Sequence, residues 1–192
     1  MMSAADLAHP KTGLLSDAVI SPCGQYRYWL HRAWNFGVGW TVFIMLNPSK
    51  ADASINDPSI RRCIDFAKRF GSRGLIVVNL FAARATNPEA LGRFNDPEGP
   101  ENHAYVLKAC EFAAEPAPDF ETDEIIQPGK LVCAWGAHWM REGQDQTVMG
   151  WIEASGAEPL CLGVTKSGAP KHPLYLPRST PLQPFQLRRQ AA

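Results

Sequence analysis

Three side chains far apart along the chain, Asn47, Asn79 and His172, have the types and settings that suit chemistry on a polar heterocycle. Asn47 closes the apolar run Val42-Phe43-Ile44-Met45-Leu46, and Asn79 closes Leu75-Ile76-Val77-Val78. His172 sits between Lys171 and Pro173 on a glycine- and proline-rich loop. A carboxamide carries a donor and an acceptor side by side, which suits reading the amide-like edge of a base or orienting a water. An imidazole on such a loop can donate a hydrogen bond to a leaving group that becomes negative. The plainer reading makes Asn47-Pro48 a turn, Asn79 a cap and His172 a surface residue, and spacing alone favours it.

The elements that would position these residues can be read from the same runs. A short apolar segment rich in β-branched and aromatic residues and closed by Asn-Pro reads as a buried parallel strand. Leu131-Val132-Cys133-Ala134, ending at Trp135-Gly136, repeats the design. Active sites of open α/β sheets lie at the carboxyl edge of such strands, so one rim is expected to carry the chemistry. Between the first two runs, Asp57-Pro58 supplies an N-cap and a proline at the first helical position. Ile60, Cys63, Ile64 and Ala67 then fall on one helical face, and Gly71 marks the stop. Arg61 and Arg62 lie in the first turn, near the Asn47 loop, where a phosphate role competes with a solvated face.

Elsewhere, Tyr26 to Arg32 and the glycine-containing turn after it predict an antiparallel edge hairpin feeding the central strand. Further helices are expected at 89–91, 101–115 and within 138–154, a proline-punctuated acidic excursion at 115–129, and a strand at 159–164. Residues 1–20 read as a loosely held lead-in and 178–192 as a tail. This order predicts a single domain over 1–192, a three-layer α/β sandwich around a mainly parallel sheet of four or five strands.

Composition narrows the function classes. Lys and Arg total 19, as do Asp and Glu, so no global basic field draws nucleic acid and any such binding must use a local patch. The five cysteines are odd in number and scattered through apolar segments, which predicts reduced core thiols in a cytoplasmic protein. No cysteine or histidine pair has metal-ligand spacing, and no metal or cofactor is expected. No run approaches signal-peptide or membrane-spanning character.

The chain resembles the domain-of-unknown-function family 1643 in Phe43-Ile-Met-Leu-Asn-Pro-Ser49, Asp57-Pro-Ser-Ile-Arg-Arg-Cys63, Val77-Val-Asn-Leu-Phe81, Ala134-Trp-Gly-Ala-His138 and His172-Pro-Leu-Tyr-Leu176. More distantly, Met45-Leu46-Asn47-Pro48-Ser49, Val77-Val78-Asn79, Ala134-Trp135-Gly136 and His172-Pro173-Leu174-Tyr175 are similar, in the same order, to the motifs of the uracil-DNA glycosylase superfamily. Met45 stands where those enzymes have glycine, and Leu174-Tyr175 where they have Ser-Pro. The aromatic that stacks on their base has no counterpart between Lys50 and Asp57, leaving Phe81 or Trp40 as substitutes.

The resemblance implies a uracil-DNA glycosylase-like fold and hydrolysis of a pyrimidine N-glycosidic bond in DNA, with the base flipped from the stack. Asn47, beside Pro48, would hold the water, Asn79 the pairing edge of the base, and His172 the departing charge. Asp52 would be a carboxylate near the sugar or water, or a solvated loop residue. Leu174 or Tyr175 would wedge into the space left by the nucleotide, and Lys166, Lys171 and Arg84 would contact phosphates. Ser49 replaces the tyrosine that blocks ring substituents in uracil-specific enzymes, which implies tolerance of a bulky 5-substituent. Base excision in DNA repair, or antiviral defence against phage with modified DNA, would follow. A non-catalytic binder of modified nucleotides or DNA and a hydrolase of free nucleosides or nucleotides stand as alternatives.

Overall fold

The computed structural model describes residues 16–114, 116, 129–137 and 143–187. The excursion expected at 115–129 falls almost wholly outside them, as does His138. Seven strands are described: β1 (Ser16–Ile20), β2 (Arg27–Ala33), β3 (Trp40–Met45), β4 (Gly74–Asn79), β5 (Lys130–Cys133), β6 (Pro159–Cys161) and β7 (Gln183–Pro184). The helices are α1 (Pro58–Arg69), α2 (Asn102–Ala114) and α3 (Gln144–Ser155), with 3-10 turns at Pro88–Arg93 and Pro173–Tyr175.

The strands form one mixed sheet in the order β1-β2-β4-β3-β5-β6-β7. Its middle, β4-β3-β5-β6, is parallel, while β1, β2 and β7 join antiparallel. The expected sheet of four or five mainly parallel strands is therefore only the centre of a wider mixed one. Ser16–Ile20 is a strand rather than lead-in, and Gln183–Pro184 pairs with β6 rather than trailing as a tail. Strands this short on a sheet edge carry too few alternating positions to show a pattern. The predicted hairpin does not form either, because β4 inserts between β2 and β3 and pairs with both.

Period-two alternation sorts the central strands onto two cores. Phe43, Met45, Leu75, Val77, Val132 and Ala134 pack with Ile60, Cys63, Phe66 and Ala67 of α1 on one face. Val42, Ile44, Ile76, Val78, Leu131 and Cys133 pack with Val106, Ala109, Cys110 and Ala113 of α2 and Val148 and Ile152 of α3 on the other. Fully burying such side chains contributes about 1.5–3 kcal/mol each, which holds three layers together. Asp57 caps α1 as expected, accepting from the Ile60 amide at 2.9 Å, with Pro58 at the first turn.

This layering opens the crevice. β3 leaves the sheet toward α1 on one face, whereas β4 and β5, its neighbours on either side, lead to α2 and α3 on the other. Chain segments that diverge from adjacent carboxyl ends leave a gap between them, and ligands bind in such gaps.

Candidate functional site

Asn79 is the last residue of β4, in register beside Met45 of β3, and Asn47 lies two residues beyond that partner. Trp135 follows β5, and its neighbour Gly136, at φ +78°, donates its amide to the Pro170 carbonyl at 2.8 Å. That bond, together with the Lys171 amide donating to the Gly163 carbonyl at 2.8 Å, holds the last loop against the strand ends. Arg62 of α1 donates to the Leu176 carbonyl and secures the far side of the same loop. These clamps bring His172 back to the rim. Asn47, Ser49, Asn79, His172, Leu174 and Tyr175 together line one cleft of about 270 Å³, with Arg27, Asp57 and Trp135 completing its polar wall.

Each carboxamide has a distinct setting. The Asn47 Nδ2 donates to the Ala85 carbonyl at 2.7 Å and to the Pro48 carbonyl at 3.0 Å. Two carbonyl partners fix which end is nitrogen, so Oδ1 is the end left to accept from a ligand or water. Asn79 is 1% exposed, and neither its Oδ1 nor its Nδ2 meets a hydrogen-bond partner among the described residues. Its main chain, by contrast, is held tightly: Asn102 Nδ2 donates to the Asn79 carbonyl at 3.0 Å and to the Leu80 carbonyl at 3.2 Å, where Gln144 Nε2 also donates. A rigid backbone thus presents a buried, unused donor and acceptor to the cleft.

His172 is the N-cap of the Pro173–Tyr175 turn, its Nδ1 accepting from the Leu174 amide at 3.2 Å. With Nδ1 accepting in this bond, Nε2 is the ring position that can carry a hydrogen and donate it. Trp135 is fully buried, edge-on to Phe185 with centroids 5.6 Å apart, and its indole N–H lacks a protein partner. Arg27 is 2% exposed; its Nη1 donates to the Ala51 carbonyl at 3.0 Å while Nε–H is unpaired. Burial pushes its guanidinium down to about 10, partly countered by the Asp57 charge, so it remains a cation at neutral pH.

Several expected residues stand elsewhere. Asp52 does not line the cleft: its Oδ1 accepts from the Ser54 and Ile55 amides at 2.9 and 2.8 Å and closes its own loop, bonds that hold its carboxyl below the usual range. Pro48 is buried behind the rim, its carbonyl accepting from the Ala85 amide at 2.9 Å. Phe81 is fully buried in the α2/α3 core, and Trp40 stands at the opposite, amino end of β3, so neither is the stacking aromatic. Besides the His172 imidazole, Trp135 and Tyr175 bring aromatic rings to the cleft. Arg84 lines an adjoining depression of about 450 Å³ that shares Ser49, Ala85 and Thr86 with it. Lys166 and Lys171 are exposed on the last loop outside the lining, and Arg61 is spent on the Asn56 carbonyl at 2.8 Å.

Sequence reasoning missed Arg27 and Asp57 as cleft residues and Asn102 and Gln144 as supports. For the last two, the signal was present: polar residues opening helices that follow parallel strands point back at the carboxyl rim. Among the described residues, no group of three or more His, Cys, Asp and Glu side chains is placed to hold a metal ion, and no helix is long and apolar enough to cross a membrane.

No curated protein and no solved structure matches the chain. A family model does match, over residues 27–174, a span running from Arg27 to Leu174 of the cleft. The chain therefore belongs to the family described as Protein of unknown function (DUF1643).

Proposed function

We propose that this protein is a monofunctional DNA glycosylase that hydrolyses the N-glycosidic bond of uracil or, by preference, of a 5-substituted pyrimidine, leaving an abasic site. Repair or defence against phage with modified DNA would be its setting. The observation that carries the reading is the Asn79 carboxamide, 1% exposed and without protein partners, in one cleft with Asn47 and His172. Burying a donor and an acceptor unpaired costs about 1–3 kcal/mol, which a ligand offering the reciprocal pair on one edge regains. A pyrimidine ring offers that pair.

Roles follow from the available atoms. The bond to the sugar breaks through an oxocarbenium-like transition state with negative charge growing on the base, so stabilising that charge matters more than a strong base. His172 Nε2–H donates to the base carbonyl. Asn47 Oδ1 accepts from the water that captures the sugar; a carboxamide cannot take the water's proton, which suits capture after the bond has broken. Ser49 leaves room for a ring substituent, and Tyr175, 76% exposed at the rim, is a wedge toward the duplex. Arg84, Lys166 and Lys171 lie outside the cleft, where backbone phosphates would run. The resemblance of four ordered motifs to uracil-DNA glycosylases supports the same assignment.

The test is incubation with duplexes bearing uracil, 5-hydroxymethyluracil or glucosylated 5-hydroxymethylcytosine, followed by alkali. Strand scission is expected, strongest for a bulky base, and Asn47→Ala should lower its rate about 10²–10³-fold while duplex binding persists. Uracil cleaved with the bulky bases untouched defeats the argument from Ser49. The balance of 19 basic and 19 acidic residues favours one second reading, hydrolysis of free nucleosides, which predicts base release from mononucleosides and none from duplexes.

A further inference from the structure

We propose that Arg27 makes the cleft an anion site, and that the anion it takes is a pyrimidine ring bearing negative charge, the form a base has as its bond to the sugar breaks. The inference rests on reading the cleft as a pyrimidine site and adds the group that carries the charge.

Arg27 reaches the cleft through an irregularity in the sheet. β1 and β2 pair Val19 with Trp29 and then Ile20 with Arg27, so Tyr28 is an extra residue on β2. In a regular strand Arg27 would share the face of Trp29, which packs in the α2/α3 core. The bulge turns it over, and Nη1 bonds Ala51, which belongs to the α1 core. Bulges re-aim side chains in this way beside functional sites.

Once there, the guanidinium is under-compensated. Asp57 is close enough to influence its charge, but no ion pair joins them, and Asp57 Oδ1 is engaged by the Ile60 amide. A buried cation without an ion-pair partner costs folding free energy, and an anionic ligand offsets that cost. The neighbours indicate which anion. Trp135 Nε1–H and Arg27 Nε–H are unpaired donors, and Asn79 brings an unpaired donor together with an unpaired acceptor. A phosphate, presenting acceptors on every side, would leave Asn79 Oδ1 facing another acceptor. A uracil-type ring presents two carbonyls and one N–H. When its N1–C1′ bond breaks, the electron pair stays on the ring and spreads onto the carbonyl oxygens, while water delivers its oxygen to C1′ and its proton to solvent or to N1. Donors that bind the neutral ring bind this anion more strongly.

The experiment measures equilibrium binding of free bases to the full chain by calorimetry, using uracil, 5-fluorouracil, 6-azauracil and 5-nitrouracil, whose ring acidity rises in that order. Affinity should rise along the series, with 5-nitrouracil at least about tenfold tighter than uracil, the size of a hydrogen bond to a charged partner. Arg27→Gln should compress the series to within about twofold, whereas Arg27→Lys, which keeps the charge, should retain the slope. A flat series in the unaltered protein, an undiminished slope in folded Arg27→Gln, or displacement of the bases by inorganic phosphate would each overturn the proposal. If Arg27→Gln does not fold, the unaltered series, Arg27→Lys and the phosphate arm decide it. The two readings fail separately: absence of duplex cleavage leaves the acidity slope intact, and a flat slope in a protein that cleaves DNA removes only the role of Arg27.

Discussion

The two rims of the parallel sheet treat buried polar groups in opposite ways. At the amino rim, Thr41 and Ser72, both fully buried, share a 2.7 Å hydrogen bond between hydroxyls, and the Ser72 carbonyl accepts from the Trp34 indole at 2.7 Å. The Val38 and Arg73 amides bond the Gly71 and Gly39 carbonyls at 2.8 and 2.9 Å. At the carboxyl rim the main chain is equally well held, yet Asn79, Trp135 and Arg27 bury side-chain atoms that meet no hydrogen-bond partner among the described residues. One rim is arranged for stability. The other leaves polar atoms that a ligand or ordered water would have to satisfy, and the proposed chemistry rests on that asymmetry.

Replacing Asn79 with leucine breaks the comparison most severely if it is wrong. The substitution removes two unpaired polar atoms and keeps the branched shape of the side chain, so the melting temperature should hold or rise, while base binding and cleavage fall at least about 100-fold because the pairing edge loses both partners. Thermal melting and the alkali assay read the two effects separately. A large loss of stability with activity retained would mean that Asn79 is a structural residue.

Thr41→Val is the mirror test at the other rim. It also keeps the branched shape, but it strands the Ser72 hydroxyl in a dry site, which should cost about 1–3 kcal/mol in denaturant unfolding and leave cleavage unchanged.

How much of this was legible in the sequence depends on the kind of signal each residue carries. Asn47, Asn79 and Trp135 were visible because short apolar runs stop at them, and a run that stops marks the end of a buried strand. Helix α1 was visible through Asp57-Pro58 and its apolar spacing, although Phe66 rather than Ile64 is its fully buried third member. Arg27 was invisible for a physical reason: its direction is set by one extra residue in the β1/β2 register, and Tyr-Arg-Tyr alternation reads the same with or without it. The insertion of β4 beside β2 was hidden similarly, since local pattern says that a strand exists and nothing about its neighbour. Asp57 was legible as the cap of α1, whereas Asp52 was legible only as a loop carboxylate. The fold adds that the helix cap stands in the cleft wall and that Asp52 closes its own turn away from it.

That last pair supplies the mildest test. Asp52 lies near the carboxyl rim in sequence but behaves like the amino rim, its Oδ1 accepting from the Ser54 amide and hydroxyl and the Ile55 amide within the 52–55 turn whose carbonyls, those of Asp52 and Ile55, hold Arg32. Its carboxyl is held low, first by the Ser54 and Ile55 amides. A folded pKa below the unfolded one means that the unfolded chain binds the proton more tightly; the stabilisation is present above the ordinary carboxylate range and is lost as pH falls through the lowered value. Asp52→Asn keeps an oxygen to accept the same amides, so cleavage should stay within about threefold, and the acid-side fall in stability should become shallower by this one group. A collapse of cleavage with the turn intact would instead place Asp52 among the reacting groups, and the boundary between the two rims would have to be redrawn to include the loop after Asn47.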